Sequence, residues 1–155
     1  MASDPHKRGQ QEPKCVFCRF ADPEVIVWED ELCYAAISED PINQHHMLVI
    51  PRTHYLSFVE VPSDVAGHLI RVTQKLSAAL RRACRPDGIT HIFDDDVTGT
   101  GWNLVAHFKI HVIPRYQADL HQIDWAPLRS SAGTQERARY AADIREQVAT
   151  LAVTK

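Results

Sequence analysis

"NLVAHFKIHVIPR", Asn103 to Arg115, is the stretch on which the fold turns. Taken two residues at a time it separates into Leu104, Ala106, Phe108, Ile110 and Val112 on one side and Asn103, Val105, His107, Lys109, His111 and Ile113 on the other. Side chains of a strand alternate between its faces, so the spacing predicts a long strand over Asn103–Ile113 whose apolar face packs on a helix. The opposite face carries His107, Lys109 and His111 in a row. A row of that kind is ordinarily a solvated face. Here Val105 and Ile113 bracket it, and His45 and His46 open another apolar run, which together point to a place where imidazoles converge.

Composition bounds what such a strand belongs to. A chain of 155 residues is long enough to bury about two thirds of its unfolded surface, so one domain needs no disulfide. Seventeen basic and twenty acidic side chains, net −3, give no broad positive field, and binding to long nucleic acid is not expected. No apolar run reaches membrane-spanning length and the N-terminus lacks an apolar signal core, so no membrane association and a cytoplasmic location are expected. Four cysteines are too few and too uneven for a secreted disulfide scaffold.

Residues 1–14 are polar and aperiodic and read as a disordered tail, leaving residues 15–155 as a single domain. Val25–Trp28 and Leu32–Ile37 form a hairpin broken at "EDE", and His46–Pro51 is a third strand apolar enough to be covered on both faces. Val65, Leu69, Val72, Leu76 and Leu80 recur at three- and four-residue steps, predicting a helix capped by Ser63 and stopped at Pro86-Asp87-Gly88. Its basic end, "RRACR", suits the helix dipole and reads as a solvated terminus. "GITHIF" makes a fourth strand and "DDDVTGTG" a flexible loop. Pro114 closes the fifth strand, and Thr134 caps a last helix with Ala138, Ala141, Ile144, Val148 and Leu151 on one side. That order, without regular βα alternation, is α+β with an antiparallel sheet.

"CVFC", Cys15 to Cys18, offers two thiolates at the bite of a tetrahedral zinc ion. It supplies half of a four-ligand structural site, and a redox dithiol or two ordinary cysteines fit the pair equally well. The candidate partners are His54 and His107. Cys33 and Cys84 stand alone in apolar surroundings and read as small core residues, and His68 and His91 as surface or satisfied core histidines.

Together "CVFC", "HHMLVIPRTH" and "HFKIHVIPR" resemble the signature of the histidine-triad (HIT) superfamily, over Cys15 to about Asp124. The resemblance implies a five-stranded antiparallel sheet with two helices, and a homodimer with sheets joined across its two-fold axis. It implies a structural zinc ion held by Cys15, Cys18, His54 and His107. It also implies a nucleotide-like ligand and, in ordinary members, a covalent nucleotidyl-histidine on the middle triad histidine. Here that position is Lys109. The third triad histidine matches His111, and the histidine opening the third strand matches His46. Other positions depart too. Asn103 and Leu104 stand where a Gln and a hydroxyl usually meet phosphate, with Trp102 at the Gly before them, and Ser38 stands at the usual ribose carboxylate, with Glu39 and Asp40 beside it. His121 and Trp125 fall near the family's substrate mouth.

Lys109 has three chemical readings. As an unprotonated nucleophile it needs a pKa far below the ordinary ~10.4. As a fixed cation it anchors a phosphate or carboxylate while His46 and His111 handle protons. Paired with a carboxylate from "DDD" it closes the pocket and leaves an interaction module. The second is preferred: a remodelled site of Lys109, His111 and His46, with Asn103, Ser38, Trp102 and Leu104 around it, binding and transforming a small anionic metabolite without a histidine intermediate.

Overall fold

The computed structural model describes residues 12–20, 22–95, 105–119 and 132–151. The chain divides into two compact units, Met1–Leu120 and His121–Lys155. The first holds β1 (Ile26–Glu29), β2 (Cys33–Ile37), β3 (Met47–Pro51), a 3-10 turn (Phe58–Glu60), α1 (Ser63–Cys84), β4 (Gly88–Asp94) and β5 (Lys109–Arg115), and the second holds α2 (Thr134–Thr150). The strands form one antiparallel sheet in the order β1-β2-β3-β5-β4. This is the predicted α+β architecture. Trp102, Asn103, Leu104, His121 and Trp125 lie outside the described residues.

The β1–β2 turn is built by Asp30, whose carboxylate accepts the Leu32 and Cys33 N–H groups at 2.9 and 3.0 Å and so closes the hairpin without a glycine. Every residue of β3 is buried, as a strand covered on both faces requires. One cover is α1, whose Val65, Leu69, Val72, Leu76 and Leu80 join Ala35, Met47, Val49, Phe108, Ile110 and Val112 in the larger core. On the other face Tyr34, Ala36, Leu48 and Ile50 pack with Phe17, Phe20 and Val25 from the N-terminal segment. The α1 cap differs from expectation. Pro62 occupies the cap with no side-chain bond and Ser63 begins the helix, while Arg85, at φ 47°, closes its far end by donating to the Arg81 carbonyl. Gly133, not Thr134, likewise stands at the cap of α2.

The strand predicted over Asn103–Ile113 starts later and ends later. The His107 N–H folds back on the Val105 carbonyl at 2.7 Å, a bend that leaves Ala106 exposed rather than in the apolar face and delays β5 to Lys109. Pro114 does not end it. β3 pairs with β5 only as far as Val112, so the missing proline N–H falls where β5 has a neighbour on one side alone. Asp94, assigned to a loop by its acidic surroundings, is the last residue of β4 and stands directly opposite Lys109.

Candidate metal centre and active site

The knuckle residues Cys15 and Cys18, His54 in the segment after β3, and His107 at the bend before β5 meet on the face of the sheet away from α1. Their ligand atoms all lie within 4.8 Å of one another. Cys15 Sγ is 3.4 Å and Cys18 Sγ 3.7 Å from His107 Nδ1, and Cys18 Sγ is 3.3 Å from His54 Nδ1. Around a tetrahedral zinc ion, with bonds of about 2.3 Å to sulfur and 2.0–2.1 Å to nitrogen, neighbouring S and N ligands stand about 3.6 Å apart. The cage has the size and donor set of a Cys₂His₂ site. His107 is oriented for it: Nε2–H donates to the Pro51 carbonyl at 2.9 Å, which leaves the Nδ1 lone pair facing the sulfurs. Burial holds that imidazole neutral, pushing it down to about 4, while burial pushes the Cys18 thiol up. Metal arrival therefore carries the thiol deprotonation with it.

The second constellation lies one turn of the strand pattern further along the same face. Lys109 is 3 % exposed. Its Nζ stands 3.2 Å from Asp94 Oδ2, 3.2 Å from the Val105 carbonyl and 3.3 Å from that of His107. An ammonium has three protons to give, and a neutral amine would leave a lone pair facing one of these acceptors. The geometry is that of the ammonium. Burial draws the lysine below its usual value and Asp94 works against that pull.

Beside it the two remaining histidines form a directed chain. The Ile42 N–H donates to His46 Nδ1 at 3.2 Å, so a neutral His46 carries its proton on Nε2 and donates to His111 Nδ1 at 3.0 Å. His111 then donates from Nε2 to Asp94 Oδ2 at 3.2 Å, the oxygen that also receives Lys109. One carboxylate thus terminates both rows. Pairing of Lys109 with a carboxylate of "DDD" is one of the three sequence readings, and the structure makes that carboxylate Asp94, which the period-two reading of "GITHIFD" places on the same face as Ile92 and Thr90.

Both histidines are neutral for a physical reason. Burial lowers His46 to about 4, with His111 adding repulsion, and burial lowers His111 against the pull of Asp94. In the unfolded chain both titrate near ~6.5. For His46 the unfolded state therefore binds more protons between about pH 6.5 and 4, and His111 adds to this in the same direction below about 6.5. Stability is fully present above that window and is lost as pH falls through it, with a slope of up to about 1.4 kcal/mol per pH unit for each such histidine. Urea midpoints measured at pH 7.5, 6 and 5 with zinc in excess are expected to fall steadily, and a flat series would contradict the neutral pair.

Ser38 follows β2, partly buried, and its N–H donates to the His46 carbonyl at 2.9 Å, so it borders this chain of imidazoles. Asn43 clamps the same loop to the end of β5, donating to the Pro114 carbonyl at 2.8 Å and to Asp119 at 3.0 Å, where Arg115 pairs with both Asp119 oxygens. Cys33 is fully buried and Cys84 half-buried, as small core residues. His68 meets Asp30 at 2.8 Å and His91 meets Ser77 at 2.8 Å. Asp30, Cys33 and His68 form a further group with ligand atoms close together. Asp30 already accepts from Leu32, Cys33, Trp28 and His68, so its carboxylate is satisfied without an ion. Among the described residues no helix is long and apolar enough to cross a membrane.

Comparison with known proteins places this geometry. Residues 19–118 match the HIT domain. A HIT-like protein of Saccharolobus solfataricus is 32 % identical over 108 residues, covering 68 % of this chain and 76 % of its own length. The crystal structure of a Streptococcus mutans protein superposes with a TM-score of 0.79 at 26 % identity, covering 90 % of this chain and 91 % of that one. A zinc-bound histidine triad family protein from Mycobacterium smegmatis superposes with a TM-score of 0.62 at 25 % identity, covering 88 % and 96 %.

Proposed function

The chain belongs to the HIT domain family, and from that premise we propose that it binds a small anionic, nucleotide-like metabolite without forming a nucleotidyl-histidine. The observation that carries this is Lys109 held as an ammonium by Asp94 and two carbonyls. An amine engaged in that way has no lone pair to offer phosphorus, and no imidazole stands at the middle position. Lys109 is a fixed internal cation beneath the ligand. His46 and His111 are the groups able to exchange protons with it, and Ser38 with Trp102, Asn103 and Leu104 completes the proposed ligand set. Cys15, Cys18, His54 and His107 hold a structural zinc ion, a role the cage geometry and the zinc-bound relative support.

A second reading has its own observation. Asp94 neutralises Lys109 and both histidines are uncharged, so the described part of the site offers an anion no net positive charge, which favours a non-catalytic interaction module. Calorimetric titration with AMP, GMP and sugar phosphates, beside turnover of an AMP phosphoramidate, separates the two. Expected are measurable binding of at least one phosphate ligand and turnover at least about 10³-fold below that of triad-intact enzymes. Turnover comparable to those enzymes sinks the proposal, and no binding at millimolar ligand leaves the interaction module. Restored hydrolysis in Lys109→His would mark the surrounding pocket as nucleotide-competent.

We also propose a homodimer with the two sheets joined across the two-fold axis, in a cytoplasmic protein. β4 is an edge strand, and beside it Phe93 (40 %), Phe58 (37 %) and Val59 (87 %) are exposed, with Phe58 and Phe93 edge to face at 5.2 Å. An apolar cluster on a free edge suits a second copy of the chain. Light scattering on the eluting protein is expected to give twice the chain mass, falling to one chain in Phe93→Asp, and a wild-type monomer at micromolar concentration would refute it.

A further inference from the structure

We propose that Phe17 is a positioning residue for Lys109, held in place by the metal centre. Phe17 is the second of the two residues between the knuckle cysteines, next to Cys18. Its ring centroid lies 5.3 Å from Lys109 Nζ, inside the distance at which an ammonium is attracted to an aromatic face. The same ring meets His107 edge-on, with centroids 5.9 Å apart and planes at 88°, and its carbonyl accepts the Tyr34 hydroxyl at 2.9 Å. Neighbours of the ammonium on β4 and at the bend before β5 include Asp94 and the carbonyls of Val105 and His107. Phe17 contributes a face from a separate segment of the chain.

The coupling follows from connectivity. Cys15 and Cys18 flank the ring, and both approach His107, at the bend two residues before Lys109 opens β5. A single ion bound to all three fixes the ring's backbone and the strand's start in one frame. Without the ion, the knuckle is held by thiol–imidazole contacts, the Tyr34 hydroxyl and the packing of Phe17 and Phe20 on Tyr34, Ala36, Leu48 and Ile50. The metal then does more than stabilise the fold: it keeps an aromatic wall against the buried lysine.

This rests on reading Lys109 as a fixed ammonium but on no ligand, so a failure to bind nucleotides leaves it standing. The test reads the lysine directly. In ¹⁵N-labelled, zinc-loaded full-length protein, ammonium protons give a ¹H–¹⁵Nζ correlation only where exchange with water is slow, and the Lys109 signal is identified by its loss in Lys109→Met. The signal is expected in the wild type and in Phe17→Tyr. It is expected to exchange at least about 10-fold faster, or to vanish, in Phe17→Leu at unchanged zinc content. Chelation should have the same effect. Phe17→Leu retaining the wild-type exchange rate overturns the proposal, as does an unchanged rate in zinc-stripped protein that remains folded by circular dichroism. If Phe17→Leu folds poorly, Phe17→Met is read by the same criterion.

Discussion

Cys15→Ser and His54→Ala are each expected to abolish binding of the proposed zinc ion and to lower the melting temperature by at least about 10 °C. The ligands come from three distant segments. His54 is 36 residues from Cys18, and His107 lies 92 residues from Cys15, so in the unfolded chain no preformed site exists and metal affinity appears as folding free energy. Even a loss of about 4 kcal/mol, well below what structural zinc sites can supply, gives a shift of that size in a domain of this length. The site also fastens the second face of the sheet. Phe17 and Phe20 pack against Tyr34, Ala36, Leu48 and Ile50, and freeing the knuckle uncovers that cluster. Cys84→Ser is the control, because its thiol donates to the Leu80 carbonyl and lies outside the four-ligand cage. Metal analysis of the purified variants alongside thermal melts decides the matter. Absence of zinc from the wild type, or equal melting of all three, would remove the metal from the account.

The apolar stripe of α1 and the unbroken apolar run of β3 are legible in the sequence because local periodicity alone sets them, and all five stripe residues are buried. The upper half of β5 is legible for the same reason: Phe108, Ile110 and Val112 face α1 while Lys109 and His111 face away. Its start is not, since the bend at Val105–His107 is imposed by contacts far along the chain, His107 to Pro51 and Phe108 to Tyr55. The metal ligands were recognisable as types, but "CVFC" is half a cage and spacing cannot choose its other half. His54 and His107 stood as candidate partners, the resemblance to HIT proteins singled them out as ligands, and the geometry brings all four together. Asp94 was legible only in part. The carboxylates of "DDD" offer Lys109 a partner, but three in a row read equally as a solvated loop, and only the register with β5 selects Asp94 to face the buried cation. A buried charge is placed by its partner, and the partner here lies fifteen residues away in sequence across a hairpin whose alignment no local pattern states.

Asp94→Asn and Lys109→Met are each expected to cost about 3–5 kcal/mol, and the double variant distinctly less than their sum. Side chains here are 3 and 4 % exposed. Removing one partner strands the other's charge in a poorly solvated site, whereas removing both leaves a neutral pair whose cost is mostly packing. The coupling read from urea denaturation of the four proteins should therefore reach about 2 kcal/mol or more. A coupling near zero would mean the two groups do not share a proton-charged pair. The single variants also differ in pH dependence, which distinguishes an ion pair from a packing defect. In Lys109→Met the Asp94 carboxylate keeps His111, 3.2 Å away, as its partner among the described residues, and an imidazolium there can replace the lost ammonium. His111 should then titrate higher in the folded variant than in the unfolded chain. Its contribution is fully present below the unfolded value near ~6.5 and is lost as pH rises through the folded one. The deficit of Lys109→Met relative to the wild type is accordingly expected to shrink between pH 7.5 and 6, while that of Asp94→Asn, which leaves no anion to recruit a proton, does not. Identical pH profiles for the two variants would rule out Asp94 as the common acceptor of Lys109 and His111.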